Sequence, residues 1–291
     1  MTYITVDLQL LTLRIARSEN LPVLPTVVIQ ILKVYEQPNV SARALEHIIA
    51  QDPAMAAKVL RVAGSAMYGH RSVNTVSRAL SVLGMSTLRS IAISLAYQQI
   101  LSNKKQRPAF DHMSFWRHSL AVGIAARGLM RYVNVGMAEE MYVAGLMHDI
   151  GVLAMDRFAN PELVKAVQTA GGKRIPLREA ELLVNGFDHC QVGGYVADKW
   201  KLSPVLANAI KYHDCPDEDE VTPESTLVTA AANYLAYHCG FPAMPGLPGS
   251  EAGVQHLSQL DLDQEKIDNV ATQIMTEVDA ADEAIGSVRA A

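Results

Sequence analysis

The sequence predicts an all-helical fold with two lobes, in which an N-terminal helical bundle packs on a second helical lobe. Through the first hundred residues, apolar side chains recur every three or four positions, which is the period of a helix. Prolines and glycines stand where helices would begin and end. With 291 residues, of which 49% are hydrophobic, the chain is long enough to bury two cores.

The first lobe, predicted over residues 15–105, consists of short helices with recognisable start signals. Ser41 is a predicted N-cap, because its hydroxyl can accept a hydrogen bond from the first turn of a helix. Asp52 followed by Pro53 combines an N-cap with a proline at the first helical position. A helical pattern resumes over residues 76–83. A polar and basic stretch, residues 103–108, is the predicted lobe boundary, and a long loop without a boundary is the alternative.

The second lobe is predicted over residues 112–240, and a loop and C-terminal helix follow over residues 241–291. Its helices are again identified by apolar stripes and caps. We expect helices at residues 115–130, at 138–155 as one helix or a pair, after Asp188, after Ser203, at 226–238 and, beyond the loop, at 264–278. The acidic run at residues 217–220 is expected to be a solvated loop.

Charge divides the chain into unlike halves. Residues 1–112 carry 12 Lys and Arg against 6 Asp and Glu, and the remainder carries 13 against 24, so the formal charges are +6 and −11. Two oppositely charged surfaces that help the lobes dock explain this pattern, and a basic groove for a phosphate-bearing ligand is the alternative. The net charge of −5 argues against general nucleic-acid binding.

Composition also predicts the compartment. The three cysteines are scattered without CxxC spacing, which favours a reducing environment and argues against a cysteine-based zinc site. No apolar run reaches the roughly 18–20 residues of a membrane span, and residues 1–13 lack the basic region and cleavage site of an export signal. We expect a cytoplasmic protein with no membrane association.

Four histidines and an aspartate are the candidate functional residues. His148 and Asp149 stand side by side in an apolar run, Gly-Leu-Met-His-Asp-Ile-Gly at residues 145–151. Burial of such a pair requires a hydrogen-bond network or a cation. His118, His189 and His213 also fall on predicted inward faces. Imidazole with carboxylate suits zinc, iron or manganese, so a site for one or two divalent ions is expected; the alternative is a buried polar network without metal.

The motifs resemble two related families. Residues 116–119, 144–151, 186–193 and 210–213 look like the successive signatures of the HD superfamily of metal-dependent phosphohydrolases. Leu-Pro-Val-Leu-Pro at residues 21–25, the Asp-Pro block at 48–61 and the Leu-Gly block at 79–89 resemble the HDOD domain, the HD-related output domain of bacterial signalling proteins. The resemblance covers roughly residues 15–240 and treats both lobes as one HDOD unit.

The resemblance implies an all-helical bacterial protein of signal transduction, whose family members commonly lack part of the metal set of active HD enzymes. It assigns metal-ligand positions to His118, His148, Asp149, His189 and His213, and Asp149 would be the catalytic residue if the chain is active. Three departures from the phosphodiesterase branch called HD-GYP concern Asp214, Asn233 and residues 152–154.

Each departure has a chemical consequence. Asp214 stands where that branch has a second histidine and could supply a harder oxygen ligand. Asn233 stands where active enzymes place a late aspartate, so one negative charge is lost although an amide oxygen can still ligate. Val152 and its neighbours replace a lysine and a Gly-Tyr-Pro motif, which removes a cation that could stabilise a phosphoryl group. Metal binding survives these changes better than hydrolysis does.

Three functions follow as hypotheses. The first is a bacterial signal-transduction output or regulatory protein with a degenerate HD-type metal site, which acts through an unidentified protein partner or through a nucleotide or phosphate ligand. The alternative is a metal-dependent phosphohydrolase that acts on a nucleotide or cyclic dinucleotide. The third, nucleic-acid binding, has little support because the basic residues of the first lobe are spread along the sequence.

Overall fold

The computed structural model describes residues 7–18, 26–35, 41–64, 73–102, 109–250 and 253–289, and every regular element in these ranges is a helix. The predicted all-helical class is confirmed. In the described ranges the helices are α1 Leu8–Arg17, α2 Thr26–Tyr35, α3 Ala42–Ala50, α4 Pro53–Ala63, α5 Val76–Leu83, α6 Met85–Ser102, α7 His112–Val133, α8 Ala138–Met147, α9 Ile150–Phe158, α10 Asn160–Lys173, α11 Leu177–Asn185, α12 His189–Trp200, α13 Pro204–Tyr212, α14 Pro223–His238, α15 Gly253–Gln259 and α16 Gln264–Arg289. Residues 21–25 and 103–108, which carry a predicted motif and the predicted lobe boundary, lie outside the described residues.

The N-terminal bundle starts its helices where the sequence predicts. Ser41 Oγ accepts from Ala44 N at 3.1 Å at the start of α3. Asp52 Oδ1 accepts from the backbone N of Ala54 at 2.9 Å and of Met55 at 3.0 Å, and Pro53 is the first residue of α4. Helices α2 to α6 pack on one another around a core of aliphatic side chains.

Helix α6 joins this bundle to the second group of helices, because it packs on α7 and α8. Ser90 Oγ donates to Glu139 Oε2 at 2.9 Å, and Arg89 donates to the carbonyl oxygen of the same residue at 3.1 Å. Ser94 Oγ lies 2.7 Å from Tyr142 Oη. These polar contacts fix α8, which ends at the predicted metal residues, against the N-terminal bundle.

Helix α7 runs through the middle of the second group and is buried along most of its length. It meets α8 backbone to backbone. A Cβ on Gly145 would lie 2.7 Å from the carbonyl oxygen of Val122, and one on Gly123 would lie 2.9 Å from that of Tyr142. Such close approach requires glycine on both helices. It brings the middle of α7 next to the end of α8, where the candidate site lies.

Several elements differ from the sequence prediction. The pattern at residues 138–155 forms two helices, α8 and α9, which meet at the His148-Asp149 pair. Helices α1, α10, α11 and α15 were not predicted from the sequence. The last helix continues beyond the predicted residue 278 to Arg289. None of the helices in the described ranges combines the length and the apolarity needed to cross a bilayer.

The prediction of a solvated acidic loop is wrong for Asp219, which is buried. Its Oδ1 accepts from Asn208 Nδ2 at 2.9 Å and from the backbone N of Val221 at 2.9 Å, and its Oδ2 accepts from the hydroxyl groups of Thr222 and Thr226. Burial works against ionisation, but these hydrogen bonds lower the pKa of the carboxyl group. Asp219 therefore fastens the start of α14 to α13.

Candidate metal centre

The structure brings together all five residues that the sequence proposes as metal ligands. They come from four places in the fold: His118 from the middle of α7, His148 and Asp149 from the α8–α9 junction, His189 from the start of α12, and His213 from the end of α13. All five are buried. We refer to these five residues as the histidine–aspartate centre.

The carboxylate of Asp149 lies at the middle of this centre, between two pairs of imidazoles. Its Oδ2 lies 3.4 Å from His148 Nε2 and 3.7 Å from His118 Nε2. Its Oδ1 lies 3.4 Å from His189 Nε2 and 3.3 Å from His213 Nε2. Each carboxylate oxygen therefore faces two imidazole nitrogens.

The other ring nitrogen of each histidine is anchored, which sets the orientation of the ring. Three of the four rings donate Nδ1–H to a backbone carbonyl oxygen: His118 to Phe241 at 2.7 Å, His148 to Gly145 at 2.7 Å and His213 to Ile210 at 3.1 Å. A carbonyl oxygen only accepts, so in a neutral ring the proton stays on Nδ1 and the Nε2 lone pair is free. This is the arrangement that metal-binding histidines require.

Glu181 anchors the fourth ring, that of His189, and was not among the site residues predicted from the sequence. This carboxylate lies on α11, is fully buried, and its Oε2 accepts from both His189 Nδ1 at 2.6 Å and His189 N at 3.0 Å. No sequence pattern indicates this role, because Glu181 acts through a contact between α11 and α12 that arises only from their packing. A carboxylate behind a ligating imidazole orients the ring and raises its basicity.

We expect Glu181→Gln to weaken metal binding by about 10–100-fold, because the amide keeps the shape of the side chain but removes the charge behind His189. The measurement is a zinc titration in competition with a chromogenic chelator. Glu179→Gln, which changes an exposed glutamate on the same helix, is the matched control. Equal zinc affinity in the two variants would contradict the role of Glu181.

The electrostatics of the two imidazole pairs differ. Burial lowers the pKa of His118 and lowers that of His148 to about 3, so both rings are neutral at physiological pH. Burial is also the largest influence on His189 and His213 and opposes their protonation, but the surrounding charges and hydrogen bonds, led by Glu181 at His189 and by Cys190 at His213, together raise the pKa of both. The pKa of Asp149 is held well below its usual range despite burial, because the histidines surround it. Asp149 is therefore an anion.

Two buried nitrogens identify a place for a cation. In the described part of the chain, Nε2 of His118 and Nε2 of His148 make no hydrogen bond, although both point at Asp149 Oδ2. A buried polar atom without a partner is costly. A divalent cation between these nitrogens and the carboxylate would satisfy all three groups, so the residues present fit a metal ion.

A pocket of about 110 Å³ adjoins the centre. Asp214 and Asn233, the two supporting residues named from the sequence, both line it, and Asp214 Oδ2 lies 3.7 Å from His189 Nε2. Arg178 lines the same pocket, and its Nε donates to Asp188 Oδ2 at 2.8 Å. Tyr234, Tyr237 and several residues of the loop at 242–250 also line it. The centre thus faces a space with both signs of charge on its wall.

The fold is similar to those of several solved structures. An HDOD domain protein with unknown function from Geobacter sulfurreducens has a TM-score of 0.79 at 22% sequence identity, with 94% of this chain and 97% of that chain covered. A candidate signal transduction protein from Marinobacter aquaeolei VT8 has a TM-score of 0.69 at 22% identity, covering 88% of this chain and 59% of that one.

A candidate phosphohydrolase from Shewanella amazonensis SB2B has a TM-score of 0.62 at 21% identity, with 91% of this chain and 98% of that chain covered. At 21–22% sequence identity, these structural similarities establish the fold alone. An uncharacterised protein of Treponema pallidum is 22% identical over 215 residues, which are 72% of this chain and 41% of that protein. This chain therefore spans about two fifths of the length of that relative.

The family assignment rests on the sequence match to the HDOD domain. That match covers residues 21–216, about two thirds of the chain, and includes the histidine–aspartate centre. The chain belongs to the HDOD domain family.

Proposed function

We propose that this chain is a signal-transduction regulator whose histidine–aspartate centre binds two divalent metal ions and whose adjoining pocket receives a phosphate-bearing ligand. The observation that carries this proposal is the placement of four Nε2 atoms around one carboxylate, two at each oxygen, with Nδ1 of every ring anchored. The centre could therefore hold one divalent ion near each oxygen of Asp149, with His118 and His148 beside one oxygen and His189 and His213 beside the other. The name of the Marinobacter relative agrees with a signalling role.

The pocket supports a phosphate-bearing ligand. Arg178 is charged, partly exposed and held at the pocket wall by Asp188. A guanidinium group binds phosphate through paired hydrogen bonds, and metal ions beside it would add positive charge. Tyr234 and Tyr237 offer aromatic surface on which a nucleotide base could stack. A signalling partner would then respond to the occupied pocket.

Hydrolysis is the second candidate function, because the pocket opens directly onto the centre. A bound divalent ion supplies a water of lowered pKa and polarises a phosphoryl oxygen. This chain's own contribution would be to orient the phosphate through Arg178 and to hold the metal ligands in place. The resemblance to active HD enzymes implies a lysine near position 152 and an aspartate at position 233, and this chain has Val152 and Asn233 instead. The loss of these two charges favours regulation over turnover.

The experiment is elemental analysis of protein purified without chelator or added metal. We expect about two equivalents of zinc, iron or manganese per chain, and a loss of at least one equivalent in His148→Ala, because this change removes a ligand beside Asp149 Oδ2. The matched control is His47→Ala, an exposed histidine on α3. Metal-free wild-type protein that also takes up none of these metals would overturn the proposal.

A nucleotide and cyclic-dinucleotide panel separates the two candidate functions. Binding without turnover by the metal-loaded protein is expected for a regulator. Turnover that disappears in His148→Ala and persists in His47→Ala would establish the phosphohydrolase instead.

A further inference from the structure

Cys190 is a buried thiol that the proposed function does not use. It is the second residue of α12 and directly follows His189. Its Sγ lies 3.6 Å from His189 Nε2 and 3.8 Å from His213 Nε2, and these two nitrogens are 3.3 Å apart. Spacing in the sequence could not reveal this arrangement, since the thiol is paired with histidines and not with a second cysteine.

The three distances match the edges of a zinc tetrahedron. Zinc binds imidazole nitrogen at about 2.0–2.1 Å and thiolate sulfur at about 2.3 Å, which places two nitrogens about 3.4 Å apart and a nitrogen and a sulfur about 3.6 Å apart. The observed triangle agrees within a few tenths of an ångström. Asp149 Oδ1, 3.4 and 3.3 Å from the same nitrogens, supplies a fourth donor.

We propose that the metal position beside Asp149 Oδ1 is a thiolate-containing zinc site, with His189, Cys190 and His213 as its other ligands. The inference rests on the proposed function, because it concerns one of the two metal positions named there. Zinc binding displaces the thiol proton to solvent and forms the metal–sulfur bond. Asp214 Oδ2, 3.7 Å from His189 Nε2, also lies within 4.8 Å of the ligand atoms of His189, Cys190 and His213 and could serve as a further oxygen donor.

The two metal positions are therefore chemically different. The position beside Asp149 Oδ2 has only nitrogen and oxygen donors, from His118, His148 and the carboxylate, which suit several divalent ions. A thiolate is a soft ligand and favours zinc over manganese or magnesium. We expect the thiolate position to keep zinc under manganese excess, while the other position exchanges.

Cobalt substitution tests the inference on the full chain. The purified protein is stripped with chelator and reloaded with cobalt(II), whose bond to a thiolate gives a charge-transfer absorption in the near ultraviolet. We expect this band in wild type, its loss in Cys190→Ala together with about one metal equivalent, and its retention in Cys239→Ala, which changes a half-buried thiol at the end of α14.

A second variant avoids any change at the site itself. The chain has three cysteines, so the double variant Cys215→Ala/Cys239→Ala leaves Cys190 as the sole thiol. The charge-transfer band should persist in it. Cobalt bound without the band in wild type, or a band that survives in folded Cys190→Ala, would overturn the thiolate assignment and leave the proposed function intact. Wild-type protein that takes up no cobalt would overturn both.

Discussion

Replacing Asp149 with asparagine should lower the affinity of the chain for zinc at both metal positions, by at least about 100-fold. Asp149 is the one anion that all four Nε2 atoms face, so the change removes the charge that both ions share. The amide nitrogen of asparagine would also donate to imidazole lone pairs, and this would satisfy them without metal.

Zinc-dependent stabilisation is the measurement for this variant. A ligand that binds only the folded state raises the melting temperature, so added zinc should raise the Tm of stripped wild-type protein and leave that of Asp149→Asn nearly unchanged. Asp219→Asn is the control, since it changes another buried carboxylate that lies outside the centre. An equal zinc-induced rise in Asp149→Asn and wild type would show that this carboxylate is not a shared ligand.

Gly151→Ala is expected to destabilise the fold by at least about 3 kcal/mol. Helix α9 packs on α12, and Gly151 of α9 lies directly against the backbone of α12. An added Cβ would overlap the carbonyl oxygen of His189 and lie 2.8 Å from both His189 C and Gly193 N. These are backbone atoms of α12, so the clash is relieved only when α9 and α12 move apart.

Urea denaturation measures this loss, and a second glycine gives the matched control. Gly172 lies in α10, where an added Cβ meets no atom within 4 Å, so Gly172→Ala should raise stability by about 0.5–1 kcal/mol through helix propensity. We therefore expect Gly151→Ala to lower the free energy of unfolding and Gly172→Ala to raise it. Unchanged stability in Gly151→Ala would mean that the α9–α12 contact is looser than the structure indicates.

Much of the fold could be predicted because local signals coincide with packing. Ser41 and Asp52 begin helices as their side-chain chemistry predicts, and Asp188 starts α12 with a capping box. Helices α10 and α11 were not predicted from the sequence, and their packing explains why. The buried face of α10 is mostly alanine, and α11 exposes Leu182 and Leu183 while it buries a glutamate. Apolar periodicity is weak or misleading in both.

Some residues of the candidate site could be predicted from the sequence and others could not. Histidines and a carboxylate inside apolar runs signal burial of polar groups, so His148 and its partners could be proposed from sequence as ligands. Glu181 and Cys190 could not, because each acts through a contact that only the packing of α11, α12 and α13 creates. Sequence patterns describe one helix at a time, and these two roles arise between helices.

The carbonyl oxygen of Phe241 joins the histidine–aspartate centre to the wall of the pocket. It holds the imidazole of His118, and the residues that follow it, from Pro242 to Gly249, form a wall of the pocket. A ligand that displaced this wall would therefore shift the hydrogen bond that holds His118, and a metal ion that drew His118 inward would pull on the wall. If both bind, thermodynamic reciprocity requires each to alter the other's affinity by the same factor. The peptide group of Phe241 is where such a coupling would pass.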